Sequence, residues 1–119
     1  MILSAIPAET IFIAVGYHDM RKSISGLATI VETVFKLDPF SHSLFLFCGK
    51  QSDRLKALYW EGDGFILLYK RLESGGRFQW PRSGSEARQI TPQQLRWLLE
   101  GLRIEQPKAI KSSNKIVLI

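Results

Sequence analysis

The stretch that decides the fold runs from residue 54 to residue 81 and reads R-L-K-A-L-Y-W-E-G-D-G-F-I-L-L-Y-K-R-L-E-S-G-G-R-F-Q-W-P. Two apolar, aromatic-rich runs flank the loop E-G-D-G at 61–64, and a Gly- and Asp-containing loop between such runs predicts a β-hairpin. A loop of two or four residues gives the pairs Trp60 with Phe65, Leu58 with Leu67, Lys56 with Tyr69 and Arg54 with Arg71. An odd loop length would shift the register by one residue and exchange the faces of one strand.

Side chains alternate along each strand, so this register predicts two unlike faces. One face is apolar and predicts core; it carries Leu55, Ala57, Tyr59, Ile66, Leu68, Lys70 and Leu72. The other face mixes cations with aromatic rings and carries Arg54, Lys56, Leu58, Trp60, Phe65, Leu67, Tyr69 and Arg71. Phosphates and unstacked bases both favour that mixture. The alternative is a second apolar patch covered by a helix, with the cations at its solvated rim.

Length and composition predict a single compact domain. The chain has 119 residues, 45% hydrophobic and 23% charged, which argues against disorder. We expect one α+β domain over 1–105 and a basic C-terminal tail over 106–119, whose residues 116–119 could form a short strand.

The net charge of +5 favours an anionic partner. A lone Cys48 excludes an internal disulfide and fits a reducing cytoplasm. No export signal or membrane span is evident, so we expect neither export nor anchoring.

The remaining elements follow from periodicity and turn signals. Residues 10–16 and 44–47 predict strands, the second covered on both faces, and 77–80 predicts a short one. Apolar positions from Ile24 onward predict a helix, capped by Asp19 or Ser23 and ended by Pro39. A second helix begins at a capping box, T-P-Q-Q at 91–94, and its apolar face carries Leu95, Leu98, Leu99 and Leu102. The fold class is therefore α+β, a small antiparallel sheet of four to five strands packed against two helices.

Nothing in the sequence indicates an enzyme, a metal or a cofactor. His18 and His42 have no partner at ligand spacing, and the aspartates and Glu61 stand at predicted caps and turns. No nucleophile elbow or phosphate-binding loop is present. Arg21 and Lys22 are different, because they precede the first helix and oppose its dipole unless an anion docks there; two solvated cations are the alternative. Arg77, Trp80 and Arg82 extend either interpretation of the hairpin face.

Six stretches then occur in a recognisable order: D-M-R-K-S-I-S-G-L-A (19–28), L-D-P-F-S (37–41), D-R-L-K-A-L-Y-W-E-G-D-G-F (53–65), L-Y-K-R-L-E (68–73), G-R-F-Q-W-P (76–81) and Q-L-R-W-L-L-E-G-L (94–102). Together they resemble the TnpB-type small accessory proteins of the insertion-sequence-sixty-six transposon family, which are distinct from the RNA-guided nuclease of the same name. The resemblance implies a bacterial mobile-element protein that assists DNA transposition beside a transposase and a second accessory protein. It brings no catalytic residues. Family members often carry a run of arginines before Arg54, where this chain has only G-K-Q-S, which weakens the case for DNA binding by that loop.

Two functions remain open for such a protein. The first is a non-catalytic DNA-binding factor in transposition and DNA recombination, which contacts element ends or the displaced strand through Arg21, Lys22, Arg54, Lys56, Arg71, Arg77, Trp60 and Tyr69. The second is a protein-interaction module that holds the transposase or the second accessory protein without contacting DNA. That module would use Trp60, Phe65, Trp80 and Trp97.

Overall fold

The computed structural model describes residues 1–110 and contains one five-stranded sheet and two α-helices, which confirms the α+β class. A 3-10 helix at Ile2–Ala5 precedes the sheet. The strands are β1 (Thr10–Ala14), β2 (Ser43–Cys48), β3 (Arg54–Trp60), β4 (Phe65–Arg71) and β5 (Ala87–Ile90), and the helices are α1 (Ile24–Thr33) and α2 (Pro92–Leu99). The strand predicted at 116–119 and most of the predicted tail lie outside the described residues.

The sheet is mixed, with strand order β4-β3-β2-β1-β5. Three of the four pairs of neighbouring strands are antiparallel, but β1 and β2 are parallel, with Thr10 opposite Ser43 and Ile13 opposite Leu46. The prediction of a wholly antiparallel sheet was therefore wrong at this pair. Parallel neighbours need a crossover connection, and α1 lies in the segment between β1 and β2 that provides it.

Strand β2 is the centre of the structure, and every one of its residues is buried. This confirms that both of its faces are covered. On one face α1 packs Leu27 and Val31 against Phe45, Phe47 and Leu58. On the other face α2 packs Leu95 and Leu98 in the cluster that contains Leu44, Leu46, Leu55 and Ile104. The sheet thus separates two apolar cores.

Helix α1 begins as predicted after Ser23, although the Ser23 side chain makes no capping hydrogen bond. It ends at Thr33, well before Pro39, because the chain turns at Lys36, whose φ of 57° is in the left-handed region. The N–H of Leu37 then bonds to the carbonyl of Val31 at 3.0 Å. Phe35 and Leu37 still pack on the α1 core, so their apolar periodicity extends beyond the helix itself.

Residues 77–80 form no strand, which corrects that prediction. Phe78 and Trp80 are buried, and the indole Nε1–H of Trp80 donates to the carbonyl of Ala14 at 2.8 Å. The burial of these two aromatic side chains in the core, and not strand pairing, holds this segment against the sheet. The fifth strand is β5 instead, which pairs with β1 and places Ile90 opposite Ile11.

The second helix confirms its predicted start. The Thr91 hydroxyl accepts from the N–H of Gln94 at 3.1 Å, and the Gln94 side chain accepts from the N–H of Thr91 at 2.9 Å. Leu95, Leu98 and Leu99 are buried, but Leu102 is 44% exposed, because α2 has ended at Leu99 and Gly101 turns the chain with a φ of 85°.

Candidate nucleic-acid interface

The hairpin has the predicted register, with a four-residue loop. Trp60 lies opposite Phe65, and Lys56 lies opposite Tyr69. Arg54 and Arg71 are direct cross-strand neighbours on the face where Lys56 and Tyr69 also stand. This end of the hairpin therefore gathers three cations beside one exposed aromatic ring.

The close approach of the two arginines follows from the hydrogen-bond pattern of the ladder. The N–H of Leu72 bonds to the carbonyl of Asp53 at 2.7 Å, so residues 53 and 72 form a hydrogen-bonded pair. The next pair, Arg54 with Arg71, is then of the non-hydrogen-bonded kind, in which Cα atoms are about 4.5 Å apart and side chains are closest. Like charges opposite one another in this arrangement are destabilising.

The same face becomes apolar further along the strands, and α1 covers it there. Leu58 is fully buried, and Phe65 and Leu67 pack against the α1 core. The predicted second apolar patch is thus present in the middle of the face. The cations stand at its rim, where Arg54 and Arg71 are exposed and Lys56 is half-buried.

The turn that precedes α1, which contains Lys22, contacts Lys56 at the rim of the apolar patch. The Lys56 Nζ donates to the carbonyl of Lys22 at 2.8 Å and lies 5.5 Å from the centre of the Tyr69 ring. Gly49 permits the close approach, since a Cβ there would be only 2.7 Å from Cγ of Met20. We call the resulting surface the basic corner; it consists of Lys22, Arg54, Lys56, Tyr69 and Arg71.

Two predicted cations are held by neighbouring carboxylates. Arg21 bonds to both carboxylate oxygens of Asp19, with Nη2 2.8 Å from Oδ2, and this contact holds the pKa of Asp19 well below its usual range and raises that of Arg21. Arg71 lies 3.0 Å from Glu73. Exposed pairs of this kind contribute little to stability. A phosphate oxygen can therefore replace the carboxylate at modest cost.

Trp60 is separate from the basic corner, although it shares its face. It lies six residues from Arg54, roughly 20 Å along β3 at the strand rise. There it contacts Phe65 and Phe40, with ring centres 4.9 and 5.0 Å away. The structure therefore groups Trp60 with aromatic rings and not with the cations.

Arg77 lies at the same end of the hairpin as the basic corner but on a different segment. The N–H of the next residue, Phe78, bonds to the carbonyl of Ser52 at 2.7 Å, two residues before Arg54. The guanidinium of Arg77 is exposed and donates to the carbonyl of Gly76 at 2.9 Å. It stands beside the corner without a described contact to its members.

Arg82 organises the loop between β2 and β3, a role that the sequence did not reveal. Its guanidinium donates to Ser52 Oγ, lies 3.5 Å from the carbonyl oxygens of Gly49 and Lys50, and is 4.3 Å from the centre of the Tyr17 ring. Tyr17 is 54% exposed. No short-range sequence pattern links Arg82 to residue 17 or to residues 49–52. The contact between the Arg82 guanidinium and the Tyr17 ring is therefore evident only from the fold.

Two further titratable side chains, the half-buried His18 and the buried Cys48, lie in largely apolar surroundings. His18 packs edge-on against Phe35 and Phe47, and burial lowers its pKa. Burial raises the pKa of the Cys48 thiol to about 11. Within residues 1–110, His, Cys, Asp and Glu form no group of three or more that could hold a metal ion. Over the same range no helix is long and apolar enough to cross a membrane.

Comparison with known proteins assigns the chain to a family. The family described as IS66 Orf2 like protein matches residues 9–109. Two similar proteins of Sinorhizobium fredii are the uncharacterized proteins y4hO, 38% identical over 106 residues, and y4jC, 34% identical over 109 residues. Each alignment covers 89% of this chain, with 91% of y4hO and 92% of y4jC. No solved structure matches the chain. The protein therefore belongs to the IS66 Orf2-like family of insertion-sequence accessory proteins.

Proposed function

We propose that the protein assists transposition by binding DNA of its insertion sequence through the basic corner. The observation that carries this proposal is the direct pairing of Arg54 with Arg71, together with Lys56 two residues along β3. Folding alone does not favour two guanidinium groups opposite one another. An anion placed between them turns that repulsion into attraction, and a phosphate matches the bidentate geometry of arginine.

The corner suits a phosphate backbone better than a single anion. Its cations come from β3, β4 and the turn before α1, so they present several contact points along an exposed surface. Tyr69 is 54% exposed and, next to Lys56, offers a ring on which an unpaired base could stack. Because these contacts are to phosphates and ring faces, we expect binding with little sequence preference.

The test compares salt dependence in two triple variants of equal charge. Arg54→Gln, Lys56→Gln and Arg71→Gln together should flatten the slope of log affinity against log salt by up to ~3 units on duplex DNA. The matched control changes Arg88, Arg96 and Arg103 to Gln, which removes the same charge on the α2 side. Circular dichroism checks that both variants fold. If the two variants have equal slopes of log affinity against log salt, the basic corner is not the DNA-binding surface, and net charge alone accounts for the binding.

Stacking is tested separately from charge. With Trp60 far from the cations, Tyr69→Ala should weaken binding to single strands more than binding to duplexes, because stacking requires an exposed base. Trp60→Ala should leave both affinities close to those of the wild type. The opposite ranking would place the bound strand along the Trp60 end of the hairpin.

We infer that the protein is not itself a nuclease or strand-transferase. The carboxylates near the corner are engaged with arginines, as in Asp19 with Arg21 and Glu73 with Arg71. Purified protein with magnesium or manganese should therefore leave element-end DNA intact on a sequencing gel. Cleavage that disappears in Asp19→Ala would contradict this. A DNA-binding role would place the protein in the bacterial cytoplasm with the element.

The second candidate function is protein binding, and a different surface favours it. Phe40 is 53% exposed and packs on Trp60 and Phe65, which makes an aromatic cluster at the far end of the hairpin. Trp80 cannot contribute, since it is 5% exposed and hydrogen-bonded inside the core. Phe40→Ser should then abolish capture by the transposase or the second accessory protein, whereas Trp97→Ser should not. Retention of both partners by Phe40→Ser would remove this cluster from the interface.

A further inference from the structure

Strand β4 is the longer of the two edges of the sheet. It has seven residues, Phe65–Arg71, and within residues 1–110 only β3 pairs with it, whereas the opposite edge strand β5 has four. Four of its first five side chains are apolar with no charge among them. The two cations of the strand, Lys70 and Arg71, stand at its C-terminal end. Charged side chains and proline are what protect sheet edges from pairing with another strand, and the first five residues of β4 have neither. Over these five residues the edge therefore has the properties of an interface.

The hydrogen-bond pattern shows which residues face outward. Residues 53 and 72 form a hydrogen-bonded pair, and at the other end the N–H of Glu61 bonds to the carbonyl of Gly64 at 2.9 Å. Alternation between these ends directs the backbone groups of residues 66, 68 and 70 toward β3. The outward groups belong to Phe65, Leu67, Tyr69 and Arg71. No hydrogen bond from the rest of residues 1–110 reaches their backbone.

We propose that β4 pairs with β4 of a second copy of this chain, antiparallel, about a two-fold axis at Leu68. A two-fold axis there pairs Phe65 with Arg71 of the second copy and Leu67 with Tyr69 of the second copy. All four outward residues then find outward partners, and each such pair exchanges two hydrogen bonds, about eight in all. The two sheets become one continuous sheet with β5 at both ends.

This register also brings no like charges together. It places Arg71 opposite Phe65 of the second copy and Lys70 opposite Ile66, so no cation faces another across the two-fold axis. Shifting the axis to Tyr69 leaves Phe65 without a partner, and shifting it to Leu67 leaves Arg71 without one. Of these three axes, only the one at Leu68 pairs all four outward-facing residues of β4.

Self-association goes beyond DNA binding and changes what surrounds the basic corner. In the pair, Arg71 and Tyr69 of one copy lie beside Phe65 and Trp60 of the other, since those residues share a face of the joined sheet. The cations and the aromatic cluster, which are at opposite ends within one chain, become neighbours between chains. The two-fold axis also repeats the basic corner on one continuous surface.

The first experiment removes one outward N–H from the edge. Tyr69→Pro deletes that donor, which an edge strand tolerates in the monomer, and Tyr69→Ala is the matched control that loses the same ring but keeps the donor. In sedimentation at increasing protein concentration, wild type and Tyr69→Ala should be dimers. Tyr69→Pro should be a monomer with an unchanged circular dichroism spectrum.

The second experiment tests the register and does not depend on the proline variant folding. On the proposed axis, Leu68 of one copy lies opposite Leu68 of the second copy in a non-hydrogen-bonded pair. The two Cα atoms are then about 4.5 Å apart, which is close enough for a disulfide between cysteines at this position. Leu68→Cys should form a covalent dimer under mild oxidation. Lys70→Cys should not, because two copies of residue 70 would be roughly 13 Å apart. The native Cys48 is buried and adds no background.

Several outcomes would overturn the proposal. A wild-type monomer at every concentration would do so, and so would a dimer that Tyr69→Pro leaves intact or cross-linking of Lys70→Cys as efficient as that of Leu68→Cys. A full-length monomer that dimerises only when shortened after residue 110 would assign the edge to the chain's own C-terminal segment and not to a second copy. DNA binding by a monomeric protein would leave the proposed function standing, so the two failures are distinguishable.

Discussion

Replacing Trp80 by Phe tests how the segment after β4 is fixed to the sheet. The indole of Trp80 is 5% exposed and donates to the Ala14 carbonyl at 2.8 Å. Trp80→Phe keeps an aromatic ring in the core but removes the donor and part of the ring volume. The carbonyl of Ala14 then loses that partner in a buried position.

The expected loss of stability follows from these two changes. A buried acceptor left without its partner costs about 1–3 kcal/mol. The missing part of the ring leaves a small cavity, which costs about 1 kcal/mol by comparison with small core truncations. The free energy of unfolding should therefore fall by roughly 2–4 kcal/mol, equivalent to a Tm lower by about 8–16 °C for a domain of this size.

The assay is urea unfolding followed by far-ultraviolet circular dichroism, with Trp97→Phe as the matched control. Trp97 is half-buried on α2, and no hydrogen bond of its indole is described, so its substitution should cost less than 1 kcal/mol. If Trp80→Phe and Trp97→Phe have equal midpoints, the segment at 77–82 is held by something other than this contact. A normal midpoint with lost partner capture would restore Trp80 as an interface residue.

Three further substitutions test other parts of the structure. Thr91→Ala removes the hydroxyl that accepts from Gln94 and should lower the free energy of unfolding by ~1 kcal/mol, so an unchanged melting curve would show that the cap does not stabilise α2. Gly16→Ala should cost about 1–2 kcal/mol, since Gly16 has a φ of 84° and a Cβ there would lie 3.2 Å from the Gly84 carbonyl. Burial lowers the pKa of His18, so stability should decrease as pH falls below the unfolded value of 6.5 and level off only below the folded pKa; His18→Gln should show a shallower decrease in denaturant midpoints measured across that range.

Local rules determined the parts of the fold that the sequence predicted correctly. The G-D-G loop between two apolar, aromatic-rich runs predicted the hairpin, and an even loop length gives the observed register, with Trp60 opposite Phe65. The capping box fixed the start of α2. The uninterrupted apolar run of β2 predicted a strand covered on both sides.

Non-local relations determined what was missed. The order strand, helix, strand at β1, α1 and β2 is compatible with a parallel pair, but no local signal shows that these two strands are neighbours, and β5 is too short for a clear period. The sequence left Trp80 open between the two interpretations of the hairpin face, and only the fold places it against Ala14. The candidate site was predicted in part: Arg54, Lys56, Tyr69 and Arg71 follow from alternation, but the separation of Trp60 and the role of Arg82 depend on strand length and loop packing.

The position of β1 has a consequence for how the chain is made. This strand lies inside the sheet, between β2 and β5, yet Ile11 pairs with Ile90 near the far end of the chain. Chains emerge from the ribosome N-terminus first, and contacts distant in sequence form late. One side of β1 and the core beneath α2 therefore stay open until residues 87–99 have been synthesised. A message that ends before them yields a polypeptide with an uncovered inner strand, which is a substrate for proteases and not a smaller working protein.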